Sequence, residues 1–347
     1  MTHNRDPLLT VAWKNNSVML IDQTKLPNKL VYVRCRNYEE VVDVIRKLVV
    51  RGAPAIGVTA AFGLALAAQQ SNAKTLPELM TDMDNAFKVL RATRPTAVNL
   101  FWALERVMGK GMHAKSIQEA KSAVLNEALK MAEEDIETNR KIGAHGLKLI
   151  KDGDIVLTHC NAGSLATVAY GTALGVIRAA RESGKRLSVI ATETRPVMQG
   201  SRLTAFELLH DGIDVSLITD TAVGHMMAKG AINQVIVGAD RVLHTGHVFN
   251  KIGTYQVAIL ANKHNIPFYV AAPLSTFDFE SNPDDVIIED RSVDEVIKVG
   301  RKRIAPKGVR VFNPAFDMTP PELITGIITQ KGLLKPPFEK NLKAFLG

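Results

Sequence analysis

Five short apolar runs in the second half of the chain constrain its fold more than any other feature. They are DIVLTH from Asp154, LSVIATET from Leu187, DVSLITD from Asp214, QVIVGAD from Gln234 and IPFYVAA from Ile266, with helical patterns between them. Each has the length of a buried strand, and apolar strands alternating with helices are the mark of βαβ units. The expected class is therefore α/β, with a doubly wound parallel sheet in this half. Ahead of it, VAWKNNSVMLIDQTKLPNKLVYVRC alternates apolar and polar residues around a Pro27-Asn28 turn signal, which predicts a small antiparallel sheet. From about 38 to 147 the apolar spacing is helical almost throughout. At 347 residues two packed units are expected: 1–140, small sheet plus helices, and 141–347, the parallel sheet. The boundary should fall within or beside a helix.

Bulk properties exclude several classes. The net charge of +8 allows an anionic partner, but the longest basic cluster, RKRIAPK from Arg301, is short and isolated. Neither zinc-finger spacing nor an aromatic–basic motif accompanies it, so nucleic acid is not expected. The two cysteines, Cys35 and Cys160, form no disulfide framework and no metal-ligand pattern, which fits a reducing cytoplasm. MTHNRDPLLT lacks the apolar core of a signal peptide. The apolar stretch AIGVTAAFGLALAA from Ala55 is shorter than the ~20 residues a bilayer requires, so it reads as an internal helix. No metal site is expected from the nine histidines, and GxGxxG, GxxxxGK[ST] and GxSxG are absent.

Ligands of an open parallel sheet bind beyond the carboxyl ends of its strands. Polar groups gather there in this chain: His159-Cys160-Asn161, Glu193-Thr194-Arg195-Pro196, Asp220-Thr221, Asp240-Arg241 and Pro273-Leu274-Ser275. Cys160 follows a strand and precedes a helix expected near Ser164, whose N-terminus would lower a thiol's pKa and cradle an anion. A small buried hydrophobe is an equal reading of Cys160, and the better one for Cys35. His159 and Cys160 are strand neighbours facing opposite sides, so no Cys–His dyad is expected. Asp240 brings a carboxylate to the sheet's edge, as a general acid or as a cap or ion-pair partner. Asp220 competes with it, although Thr-Asp-Thr reads as a capping sequence. In RGAPAIG, Arg51 offers a fork for phosphate, Gly52 frees backbone N–H groups and Pro54 presets a helix. Lys251, at the expected start of another helix, could meet the same anion; Gln199 and Arg94 have no independent claim.

Beyond the residues taken singly, RGAPAIG at 51, THCNAG at 158, ETRPVMQGSRLTAFEL at 193, VGADRV at 237, NKIGTY at 250, VAAPLSTFD at 270 and VFNPAFDMTPPELITGIITQKG at 311 occur in order. Together they resemble the methylthioribose-1-phosphate isomerases of methionine salvage over nearly the whole chain. The resemblance implies a Rossmann-like C-terminal domain, a mainly helical N-terminal domain preceded by a small sheet, a homodimer and no cofactor. It implies conversion of 5-methylthioribose 1-phosphate, an aldose, to 5-methylthioribulose 1-phosphate, a ketose. On the matching positions it makes Asp240 the proton donor and Cys160 the base or intermediate stabiliser. Arg51, Gly52 and Ala53 become the phosphate turn, and Arg94, Gln199, Asn250 and Lys251 the other substrate contacts. One departure is Thr245-Gly246-His247, where the family commonly has Asn-Gly-Asp; the turn is expected only to join a strand to a helix. Rival readings are a ribose 1,5-bisphosphate isomerase and a non-catalytic subunit related to the exchange complex of translation initiation.

Overall fold

A computed structural model gives the fold, described for residues 7–94 and 98–346. The expectation of no leader peptide therefore rests partly on residues 1–6, outside the described ones. The chain divides into two compact units. One comprises Asp6–Arg140 with Gly163–Leu174, and the other Lys141–Ala162 with Gly175–Gly347.

In the first unit, β1 (Val11–Trp13), β2 (Val18–Ile21) and β3 (Tyr32–Cys35) form an antiparallel sheet in that order. Helices α1 (Tyr38–Arg46), α2 (Ala53–Gln70), α3 (Leu76–Arg91), α4 (Val98–Met112) and α5 (Ile117–Gly146) follow. Side chains mark the starts of two of them: Asn37 accepts from Glu40 N–H ahead of α1, and Thr75 with Glu78 forms a capping box on α3. Helix α2 has no polar stripe, and a helix apolar all round must be covered on every side. By length and composition it could span a membrane, yet Ala55 through Ala68 are all buried in this unit. Its Phe62, Leu64 and Leu66 are fully enclosed, each worth about 1.5–3 kcal/mol of burial. Helix α5 runs across the division between the units.

In the second unit lie β4 (Asp154–Thr158), β5 (Leu187–Thr192), β6 (Asp214–Ile218), β7 (Gln234–Val237) and then β8 (Arg241–Leu243), β9 (Val248–Lys251) and β10 (Phe268–Ala271). Further along come β11 (Phe277–Asp278), β12 (Lys298–Val299), β13 (Lys302–Arg303), β14 (Phe316–Thr319), β15 (Gly326–Thr329) and β16 (Gly332–Leu334). The helices are α6 (Ala173–Glu182), α7 (Ala205–His210), α8 (Val223–Ala228), α9 (Thr254–Lys263), α10 (Asp294–Ile297) and α11 (Phe338–Leu346). All five apolar runs are strands of one seven-stranded sheet, ordered β16-β15-β10-β7-β4-β5-β6. Its members are parallel except for the β15–β16 pair. Counted from β4, the parallel part runs 3-2-1-4-5-6, the dinucleotide-fold order, and the chain turns back between β4 and β7. A second sheet, β11-β8-β9-β14, carries the residues after β7, and β12 pairs with β13 as a hairpin. The basic cluster at Arg301-Lys302-Arg303 lies exposed on that hairpin, as a solvated face would.

Three local expectations change. The helix expected near Ser164 is only a 3₁₀ turn, Ser164–Ala166, and the segment Gly163–Leu174 groups with the helical unit. Its backbone is claimed by tertiary partners instead: Thr10 N–H donates to Val168 O at 2.9 Å, and Val168 N–H to Asp135 Oδ2 at 2.7 Å. Lys251 ends strand β9 rather than opening a helix, which starts at Thr254. The Thr245-Gly246-His247 turn joins two strands, β8 and β9, with Thr245 Oγ1 2.9 Å from His247 Nδ1.

Candidate active site

Cys160 and Asp240 lie just beyond the carboxyl ends of β4 and β7, neighbouring strands at the point where the sheet order turns back. That is where an open α/β sheet leaves a crevice. Cys160 is buried, at 7% exposure, and its backbone is left-handed, with φ +63°. A non-glycine residue there carries about 1–2 kcal/mol of backbone strain, which the surroundings must impose.

They do so from both sides. Cys160 N–H donates to Thr194 Oγ1 at 2.9 Å, and the Thr204 hydroxyl donates to Cys160 O at 2.6 Å. Thr194 and Met198, in the loop after β5, are also left-handed, each with φ +62°. Asp220 holds this loop by accepting Thr194 N–H at 2.8 Å and Arg195 N–H at 2.7 Å. It caps no helix of its own; its carboxylate reaches from the end of β6 to the end of β5. The loop closes into a π turn, Gly200–Thr204, where a Cβ on Gly200 would overlap the carbonyl oxygen of Thr192.

Beneath Cys160 the polar groups are buried and paired. Asn161 Nδ2 donates to Glu207 Oε1 at 2.8 Å, and Glu207, fully enclosed, pairs with Arg178 at 2.7 Å. Arg178 also holds Asp211 at 2.6 Å. The two carboxylates beside this guanidinium compensate its charge, and the Asn161 amide occupies the other oxygen of Glu207. His159 points elsewhere: Nδ1 lies 2.7 Å from Thr192 Oγ1 and Nε2 lies 2.9 Å from Ile252 O. Burial holds its pKa below the usual range, so the ring is neutral near pH 7. Its nitrogens are committed to those partners rather than to a Cys–His dyad.

Asp240, half-buried, begins the turn into β8, with its N–H on Phe249 O at 2.9 Å. The adjacent Arg241 is engaged with Asp278 at 3.1 Å. On β9, Asn250 Nδ2 donates to Thr254 Oγ1 at 3.0 Å, and Lys251 Nζ donates to Ala315 O at 2.9 Å over the ring of Phe316. Asp317, opposite Asn250 on β14, accepts Gly253 N–H and Tyr255 N–H at the start of α9. Burial pushes its carboxyl up to about 6. Gln199 is buried, and its Oε1 has no hydrogen-bond partner among the described residues. An orphaned buried acceptor calls for a ligand or a water to satisfy it.

In the helical unit, Gly52 precedes α2 with φ +91°, and a Cβ there would run into the backbone of Ala166. Among the described residues no side chain caps α2, and Pro54 in its first turn has no N–H to satisfy. Arg51 Nε donates to Gln23 Oε1 at 3.3 Å, and Gln23 Nε2 to Leu165 O at 2.7 Å, which orders the guanidinium beside that turn. Arg94 follows α3, partly buried. The structure thus brings Cys160, Gln199, Asp240, Asn250 and Lys251 into one unit, and Arg51, Gly52, Ala53 and Arg94 into the other. Sequence reasoning missed His159, Thr192, Thr194, Thr204 and Glu207 as a connected set; their signal was only a run of polar residues after apolar strands.

Three comparisons bear on this arrangement. The family model described as the initiation factor 2 subunit family matches residues 49–336. Methylthioribose-1-phosphate isomerase 1 of Pseudothermotoga lettingae is 54% identical over 340 residues, 98% of each chain. Among solved structures, 5-methylthioribose 1-phosphate isomerase from Pyrococcus horikoshii OT3 matches with a TM-score of 0.93 and 46% identity, over 98% of this chain and 96% of that one. A structure titled translation initiation factor eIF-2B, subunit delta, from A. fulgidus matches at 0.90 and 53%, over 98% and 99%.

Proposed function

The chain belongs to the initiation factor 2 subunit family and, within it, to the methylthioribose-1-phosphate isomerases, and on that premise we propose how its residues divide the reaction. The observation that carries the reading is the position of Cys160 and Asp240, at the ends of the two strands flanking the reversal of sheet order.

The substrate, 5-methylthioribose 1-phosphate, is harder to isomerise than a free aldose, because phosphate on the anomeric oxygen blocks spontaneous opening to an aldehyde. Asp240 donates a proton to the ring oxygen as the bond from that oxygen to C1 breaks. One hydrogen then leaves C2 and one arrives at C1, while the C2 hydroxyl loses its proton and becomes the ketone of 5-methylthioribulose 1-phosphate. Cys160 handles the hydrogen moving between C2 and C1, as thiolate base or as stabiliser of the intermediate. Arg51, Gly52 and Ala53 hold the phosphate through N–H groups and a guanidinium. Arg94, Gln199, Asn250 and Lys251 contact the rest of the substrate; the orphaned acceptor of Gln199 supports its share. The same resemblance supports a cytoplasmic homodimer needing no cofactor, with residues 141–347 as the catalytic domain.

Cys160→Ser and Asp240→Asn should each lower kcat by about 10³-fold or more, roughly 4 kcal/mol of transition-state stabilisation, with the fold preserved by circular dichroism. A fully active Asp240→Asn variant would sink the proton-donor role. Exchange of the C2 hydrogen with solvent during turnover favours proton transfer through Cys160; complete retention is what a hydride shift requires, and a base shielded from solvent gives it too.

A further inference from the structure

We propose that Thr194 is a positioning residue for the isomerisation, its hydroxyl setting the left-handed backbone of Cys160 and Asp220 holding Thr194 in turn. The inference rests on the role given to Cys160 above and adds what aims its thiol.

Chemistry fixes the direction of the two hydrogen bonds of His159. Ile252 O can only accept, so His159 Nε2 is the donor across 2.9 Å. The ring is neutral, so Nδ1 accepts the Thr192 hydroxyl at 2.7 Å. Thr192 Oγ1 then has no proton left for Thr194, whose hydroxyl donates to Thr192 Oγ1 at 3.1 Å or to Thr192 O at 3.3 Å; either way Thr194 Oγ1 keeps a lone pair for Cys160 N–H at 2.9 Å. His159, Thr192 and Thr194 are buried, the two threonines completely, so no water competes for these partners.

Thr194 is β-branched and left-handed, a conformation such residues rarely hold. The carboxylate of Asp220 imposes it, one oxygen on Thr194 N–H and the other on Arg195 N–H. The ends of β4, β5 and β6 are thus tied in sequence, and the last tie falls on the residue bearing the thiol. Releasing it frees Cys160 to relax toward ordinary backbone angles, which would swing its Cα–Cβ bond and displace Sγ. Displacements of about 1 Å cost ~10²-fold in rate when the reacting group is the one displaced.

The test compares Thr194→Val, which keeps the shape and removes the hydroxyl, with Thr194→Ser, which keeps the hydroxyl. Kinetics with 5-methylthioribose 1-phosphate are run beside iodoacetamide labelling of Cys160, followed by mass spectrometry. Thr194→Val should lose 10- to 100-fold in kcat with KM within twofold, and its Cys160 labelling rate should shift at least fivefold. Thr194→Ser should stay within threefold of the parent in all three. Asp220→Asn, which sets an amide NH₂ against a backbone N–H, should lose about tenfold in kcat in the same pattern. Parental kcat and labelling in Thr194→Val, or a raised KM with kcat intact, overturns the proposal. Should Thr194→Val not fold, the same outcomes in Asp220→Asn decide it. Loss of activity in Cys160→Ser beside an unaffected Thr194→Val would defeat this inference alone. Full activity of Cys160→Ser would defeat the catalytic reading, whatever the labelling rates did.

Discussion

At the scale of single residues, some of the chain's left-handed positions, Gly52, Cys160, Thr194 and Met198, fall where its chemistry is proposed, while others such as Leu48 and Tyr170 do not. Gly52, at φ +91° ahead of α2, is the one of these positions where glycine is obligatory on two counts. Its dihedral disfavours any side chain, and a Cβ would collide with the Cα and carbonyl of Ala166, backbone that cannot rotate away. Gly52→Ala is therefore expected to cost about 2–4 kcal/mol of stability, the sum of left-handed strain and overpacking. A denaturant midpoint measured beside the parent checks it, and a loss under about 0.5 kcal/mol would mean the turn is free to move. Cys160, Thr194 and Met198 accept left-handed angles without being glycine; hydrogen bonds to neighbouring strand ends hold the first two, and Met198 N–H donates within its own loop to Thr194 O. Cys35 lies buried in the helical core, where burial pushes its thiol up to about 12, as suits a packing role.

At the scale of elements, α5 does more than fill space, because it carries Asp135 beneath the segment after Asn161. Asp135 Oδ2 accepts Val168 N–H at 2.7 Å and Asn139 Nδ2 at 3.1 Å, and burial pushes its carboxyl up to about 7. A folded value above the ordinary one means that folding favours the protonated acid. Its contribution is complete below about pH 4 and is lost as pH rises through 7, on the order of a few kcal/mol in all. Asp135→Asn should flatten the dependence of stability on pH between 5 and 8, measured by urea unfolding at both ends; equal slopes in parent and variant would refute the assignment. The elements differ in how legible they were. The five parallel strands were plain, because each is a continuous apolar run ending in polar residues, and β1–β3 showed by alternation. Strands β8, β9 and β14 were not, since FNK and FDMT are too short and polar to signal a strand before their partners are known. The expected helix at Ser164 failed because Thr10 and Asp135, far away in sequence, claim the backbone there. Asp220 was misread for the same reason: its local pattern is a cap, but its partners lie on the loop after β5.

For the molecule as a whole, the fold discriminates poorly between functions. Solved relatives of nearly identical architecture bear an isomerase title and an initiation-factor title, so function has to be argued from the site. What the site offers is a cysteine held in left-handed backbone by a buried chain of hydroxyls, and such strain persists only where the surroundings enforce it. Within the isomerases, the choice lies between a methylthio group and a second phosphate at C5 of the sugar. A second phosphate brings a charge of about −1.5 to −2 and needs cationic partners of its own, without which its desolvation costs several kcal/mol. A methylthio group needs only apolar contact there. In one competitive assay, kcat/KM for 5-methylthioribose 1-phosphate should therefore exceed that for ribose 1,5-bisphosphate by at least about 100-fold. A ratio near one would require a second cationic site, and an inverted ratio would move the chain to the bisphosphate isomerases. Turnover of neither sugar, with Cys160 labelling normally, would point back to a binding subunit that keeps the architecture of an active site without its reaction.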